Sequence, residues 1–187
     1  MKALHTILFL LSAASIASLV HAYEYKYTSD SDFDILVGIQ FGGDVGDPIY
    51  KKLVPKGSTQ TFASGTDFPG VKVGYCLKQV FYIKNPTKEQ QDNPKEADWK
   101  ISKTLPVWGS KDRVSNPAEI RKFLKDLRAY DMSKKAKDWV SGCGSIDAYI
   151  MQDSTGNIYF VVPQTYTSGA AGRLDVLDRT YKEPSSK

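Results

Sequence analysis

Three aspartates alternate in Asp30-Ser31-Asp32-Phe33-Asp34, the spacing with which a calcium loop begins. The rest of such a loop does not follow. Its sixth position is Ile35, where glycine would make the sharp turn, and its twelfth is Phe41, where a bidentate Glu would close the oxygen shell. The stretch is expected to be an acidic turn opening a strand, with Asp30, Asp32 and Asp34 at most a weak cation site. No cofactor is expected.

Imidazole chemistry is confined to the start of the chain. His5 and His21 are the two histidines, and both fall in the first 22 residues, which read as an export signal: Lys2, an apolar run from Ile7 to Val20, then Val20 and Ala22 at the small-residue positions before a cut at Tyr23. Cleavage after Ala22 would remove every imidazole, and with it a His base, a His metal ligand or a Ser-His-Asp triad. No Ser-x-x-Lys pattern supplies another activated serine. Gly169-Ala170-Ala171-Gly172-Arg173 is glycine-rich and ends in a cation, but it matches neither the Walker pattern nor the dinucleotide fingerprint. Asp98, Asp112, Asp147 and Asp153 could supply the acid and base of a glycoside hydrolase without any His, although nothing in the sequence singles out a pair. A carboxylate-based hydrolase acting on carbohydrate is thus the enzymatic alternative to a binding protein.

Cys76 and Cys143 are the two cysteines, and both follow the signal. In an oxidising compartment, the periplasm or the cell exterior, they are expected to form one disulfide. The apolar run at the start is too short for a bilayer span, so no transmembrane segment is expected in the mature chain.

Between residues 84 and 137 there are 14 Lys or Arg and 8 Asp or Glu, so the basic balance of the protein is local. Arg121, Lys122, Lys125 and Arg128, with Trp99, Trp108 and Trp139 in the same region, could meet an anionic surface or an acidic protein. The cations also flank an apolar stripe, as in an interfacial amphipathic helix, which gives a membrane-active, toxin-like protein as a second alternative. Nucleic acid is not expected, because no recognition motif is present. Tyr23, Tyr25 and Tyr27 alternate with Glu24 and Lys26 and could form a stacking platform for a sugar or protein, or pack into the core.

These residues must be held by an unexceptional domain. The 187-residue chain less its first 22 leaves 165 residues, with 41% apolar and 12% aromatic composition over the whole, enough for one core. Period-two alternation predicts strands at 23–27, 33–41, 49–54, 59–63 and 73–83, the last with Val73, Tyr75, Leu77, Gln79, Phe81 and Ile83 on one face. Residues 84–98, with Pro86 and Pro94, read as a long exposed loop. A helix follows with complete signals: Asn116 as N-cap, Pro117 at the first helical position, Glu119 three past the cap, and Ile120, Phe123, Leu124 and Leu127 on one stripe. Ser133 could cap a second short helix carrying Ala136, Trp139 and Val140. Strands at 146–152 and 157–162 flank Asp153-Ser154-Thr155-Gly156, a hairpin turn. Residues 174–177 could form a last strand, and 183–187 should fray.

The expected fold is mainly β with one or two helices: a single antiparallel β-sandwich-like domain over 23–182, with a helical and loop insertion at about 84–140 and one disulfide. The expected role is that of a secreted or periplasmic binding protein, an effector or inhibitor, whose partner is a protein, a carbohydrate or an anionic surface.

Overall fold

A computed structural model describes residues 23–42, 48–63, 67, 76–133, 136–138, 144–165 and 174–176. The export signal at 1–22, Val73 and Tyr75, Trp139 and Val140, Cys143, the 168–172 loop and the 183–187 tail lie outside the described residues.

The protein is mainly β, with two sheets. The larger has the order β11-β7-β10-β9-β1-β4, with β8 also on β7. Its strands are β1 (Glu24–Ser29), β4 (Thr59–Ala63), β7 (Lys103–Gly109), β8 (Lys137–Asp138), β9 (Ile146–Gln152), β10 (Ile158–Thr165) and β11 (Asp175–Val176). The smaller has the order β3-β2-β5-β6, from β2 (Ile35–Phe41), β3 (Tyr50–Val54), β5 (Leu77–Lys84) and β6 (Lys100–Ile101). The helices are α1 (Lys88–Asp92), α2 (Lys111–Val114) and α3 (Pro117–Arg128), with a 3-10 turn at Glu96–Asp98.

The two faces of the larger sheet explain its sequence. Tyr25 and Tyr27 of β1, Phe62 of β4, Ala148 and Ile150 of β9, and Ile158 and Phe160 of β10 meet Ile35, Val37, Ile39, Phe41, Leu77 and Val80 of the smaller sheet in one core. Tyr149 and Met151 of β9 and Tyr159 and Val161 of β10 point the other way, as alternation along a strand requires. They meet Leu105, Val107 and the α3 stripe in a second core. With both faces buried, β9 and β10 carry nearly continuous apolar runs. The molecule therefore has three layers, smaller sheet on larger sheet on α3.

Several expectations are corrected. The larger sheet is not purely antiparallel: β1 runs parallel to β9, and β7 parallel to β10. β5 does not keep one face throughout, because a register irregularity at Gln40/Phe41 interrupts its pairing with β2; Leu77 and Val80 face the inter-sheet core, whereas Phe81 stacks on Trp99 outside it. Residues 84–98 are not a free loop. Thr87 and Gln90 form a reciprocal capping box on α1, Lys51 Nζ donates to Gln91 O at 2.6 Å, and Trp99 closes over the smaller sheet at Gly38. The segment after Ser133 gives the short strand β8 rather than a helix.

The outer edge of β4 is partly shielded. Lys52 Nζ of β3 donates to Thr61 O of β4 at 2.8 Å, and Asp67 Oδ2 accepts the Ala63 N–H at 2.8 Å, so two backbone groups of β4 that could pair with another chain are occupied.

Candidate functional site

α3 begins as its sequence dictates. Asn116 Oδ1 accepts the Ala118 N–H at 3.0 Å, Pro117 occupies the first turn, and Lys125 and Arg128 lie in the last, each placement favouring the helix. Ile120, Phe123, Leu124 and Leu127 are buried, each contributing about 1.5–3 kcal/mol of apolar burial. Burying the stripe turns Arg121, Lys122 and Lys125 into solvent.

Ion pairs sort the charges around them. Arg113 grips Glu119 through Nε at 3.2 Å and also through Nη2. That hydrogen bond and its charge hold the Glu119 carboxyl below its ordinary range, so the acidic residue of the first turn is already neutralised. Arg128 is half-buried, with Nη2 3.8 Å from Asp30 Oδ2. Burial raises the Asp30 pKa, against the opposing fields of Arg128, Arg121 and Lys125. The ridge Arg121, Lys125, Arg128 therefore faces one partly buried carboxylate, and only its Arg128 end is engaged by it.

The other predicted site residues disperse. Trp99 sits on the outer side of the smaller sheet, with both sheets between it and α3; its ring lies 6.4 Å from that of Phe81, and it is used in packing. Trp108 is on β7, half-buried. Tyr25 and Tyr27 are 0% exposed and cannot stack a ligand from solvent; Tyr27 instead packs edge-on against Phe62 and Phe160, and burial drives its hydroxyl pKa well up. Tyr23 is half-buried against the same core. The platform expectation fails because the face carrying these rings is the one covered by the second sheet.

Asp30, Asp32 and Asp34 also diverge. Asp30 turns toward Arg128, Asp32 Oδ2 accepts from Gln152 Nε2 at 2.6 Å, and Asp34 Oδ1 accepts the Lys56 N–H at 2.8 Å. Among the described residues no group of three or more His, Cys, Asp or Glu is placed to hold a metal ion. Of the carboxylates considered for hydrolysis, Asp112 lies exposed on α2, and Asp98, Asp147 and Asp153 are spread over the fold. Asp98 caps the 3-10 turn, bonded to Gln90 and Lys95, over the smaller sheet. Asp147 starts β9 and Asp153 follows its end, about 20 Å apart at roughly 3.3 Å per strand residue, beyond the separation that glycoside cleavage uses.

The interfacial-helix reading needed the α3 stripe to be available to a bilayer, and the sheet takes it. Among the described residues no helix is long and apolar enough to cross a membrane.

Comparison with protein-family models, with curated proteins and with solved structures finds no match.

Proposed function

We propose that this chain is an exported binding module that docks an anionic partner on the outer face of α3. One observation carries the reading: α3 spends its apolar stripe on the sheet and its acidic first turn on Arg113, leaving Arg121, Lys122 and Lys125 exposed beside the single exposed carboxylate of Asp126, a surface of net positive charge on a rigid element. A positive patch of this kind steers an acidic partner and fixes its orientation. Export follows from the signal-like start, with cleavage after Ala22 and release into the periplasm or medium. There Cys76 and Cys143 would form the bridge of a single domain over 23–182.

The test is retention of the protein by lipopolysaccharide, by phosphatidylglycerol vesicles and by an immobilised acidic protein. Between roughly 0.01 M and 1 M salt the Debye length falls from about 30 to 3 Å, so binding to at least one of these should be lost as salt rises. It should also be lost in the variant Arg121→Glu, Lys122→Glu, Lys125→Glu. Equal retention of parent and variant at low salt would discard the patch as a site.

A further inference from the structure

The larger sheet comes apart at one end. β9 and β10 pair from Ile158↔Gln152 to Val161↔Tyr149 and no further, although β10 runs on to Thr165 and β9 begins at Ile146. Beyond that point β9 stays with β1 through Asp147↔Lys26 and Ile146↔Tyr25, while β10 stays with β7 as far as Thr165↔Gly109. Pro163 stands just past the last β9–β10 pair, at the register position that would face Asp147, and it has no N–H with which to continue the ladder. Between the diverging strands lies an open groove of about 630 Å³, a volume within the range of small-molecule sites. Asp147, Pro163, Gln164 and Thr165 line it from the strands, and Val114 and Ser115 from the end of α2; Trp108 also borders it. It sits at the carboxyl ends of the parallel pair β7 and β10, the end at which open α/β sheets hold their ligands.

The chemistry of this wall narrows the ligand. Its charges are compensated on the spot: Lys26 Nζ meets Asp147 Oδ2 at 2.6 Å, and near the α2 wall Arg113 is taken by Glu119. An anion would meet the Asp147 carboxylate, and a cation would have to displace Lys26. What remains is hydroxyl, amide and carboxylate oxygen beside the apolar surfaces of Val114 and Pro163. We propose that the groove between β9 and β10 binds a neutral polyhydroxylated ligand, a monosaccharide or a segment of an oligosaccharide. Lys26 uses Oδ2 and orients the carboxylate so that Asp147 Oδ1 accepts from ligand hydroxyls. The Gln164 amide both donates and accepts, Ser115 and Thr165 add hydroxyls, and the proline and valine take the sugar's C–H face. This site is separate from the α3 patch and does not depend on it.

Saturation-transfer NMR of the intact protein with short neutral hexose and N-acetylhexosamine oligomers tests the assignment. Transfer to sugar C–H protons is expected, with amide shifts concentrated at Val114, Ser115, Asp147, Gln164 and Thr165 and with no sensitivity to salt. Ser115→Trp, which blocks the groove from an exposed position, should abolish it. Asp147→Asn should weaken it about tenfold through loss of a charge-assisted bond. Should the melting temperature of Ser115→Trp fall, Thr165→Val serves in its place and should also weaken binding. Reversing Lys122 and Lys125 should leave sugar binding unchanged, so failure of the α3 reading and failure of this one are distinguishable. The assignment is overturned by absence of transfer from every oligomer, by shifts centred on α3, by unchanged binding in the groove variants, or by an extended peptide producing the groove shifts where sugars do not.

Discussion

Asp153 does more for this fold than its place in a turn requires. It is 4% exposed, and its Oδ1 accepts the Thr155 N–H at 2.9 Å, the Thr155 hydroxyl at 2.7 Å and the Asn157 N–H at 3.0 Å. Its Oδ2 accepts the Met132 N–H at 3.3 Å, which ties the β9–β10 hairpin to the segment leaving α3. Burial alone would raise its pKa, but the bonds from Thr155, Asn157, Tyr159 and Met132 outweigh it and hold the carboxyl below its ordinary value. Asp153→Asn turns an amide toward a donor that needs an acceptor and should cost about 2–4 kcal/mol. Because the folded pKa is the lower one, the contribution is present above the unfolded value near 3.9. It is lost as pH falls through the folded one. Urea midpoints of parent and variant should therefore differ most at neutral pH and converge in strong acid; a gap independent of pH would show that the charge plays no part. The turn itself was legible, down to Gly156 with its φ of 80°. The bond to Met132 was not, since sequence pattern reports neighbours along the chain and this partner is 21 positions away. The tyrosine row shows the same boundary: alternation placed Tyr25 and Tyr27 on one face of a strand but could not say that a second sheet would cover it.

At the scale of elements, α3 was readable because all its instructions are local: a cap, a proline, and a stripe at helical spacing. Leu124→Ala should cost about 2–5 kcal/mol through the cavity left under a 0% exposed side chain, and Asn116→Ala about 1 kcal/mol through the lost cap. Reversing Lys122 and Lys125 should stay within about 0.5 kcal/mol. Chemical denaturation separates the three, and a large loss in the double reversal would mean that the cations support the fold rather than face a partner. The segment from residue 85 to 99 misled because its composition is polar; its fold is specified instead by Thr87 with Gln90 and by one aromatic anchor. A Cβ at Gly38 would lie 2.6 Å from Ile49 Cγ2 and 2.9 Å from the Trp99 ring. Gly38→Ala should thus lift Trp99 off the smaller sheet, cost about 1–3 kcal/mol, and shift tryptophan emission to the red. Strand β7 is hard to read from sequence, because Pro106 argues against a strand inside a sheet. Among the described residues, β8 pairs with β7 at Lys103 and Thr104 and β11 at Val107 and Trp108, and no described pair on that edge involves Pro106.

For the whole molecule, what local pattern left open was the pairing of distant segments. β1 lies parallel to β9, more than a hundred residues later, with Tyr25 opposite Ile146, and this closure puts the ends of the chain's two β-rich stretches into one sheet. The bridge proposed between Cys76 and Cys143 would act on the same closure, because Cys76 immediately precedes β5 of the smaller sheet and Cys143 lies shortly before β9 of the larger. Positions 76 and 143 are 67 apart in the chain, and a cross-link of that span stabilises by roughly 4 kcal/mol in the chain-entropy account. It would also limit how far the sheets separate in the unfolded chain, where two parallel pairings at long sequence separation make refolding slow. Reduction should therefore lower the urea midpoint of the exported protein and slow its refolding. The variant Cys76→Ser, Cys143→Ser should match the reduced parent and be indifferent to reductant. A peptide map without reductant should contain the two cysteines in one cross-linked fragment. Two thiols titrating in the denatured, unreduced protein would sink the bridge, and the closure of the larger sheet would then rest on the β1–β9 ladder and the buried tyrosines alone.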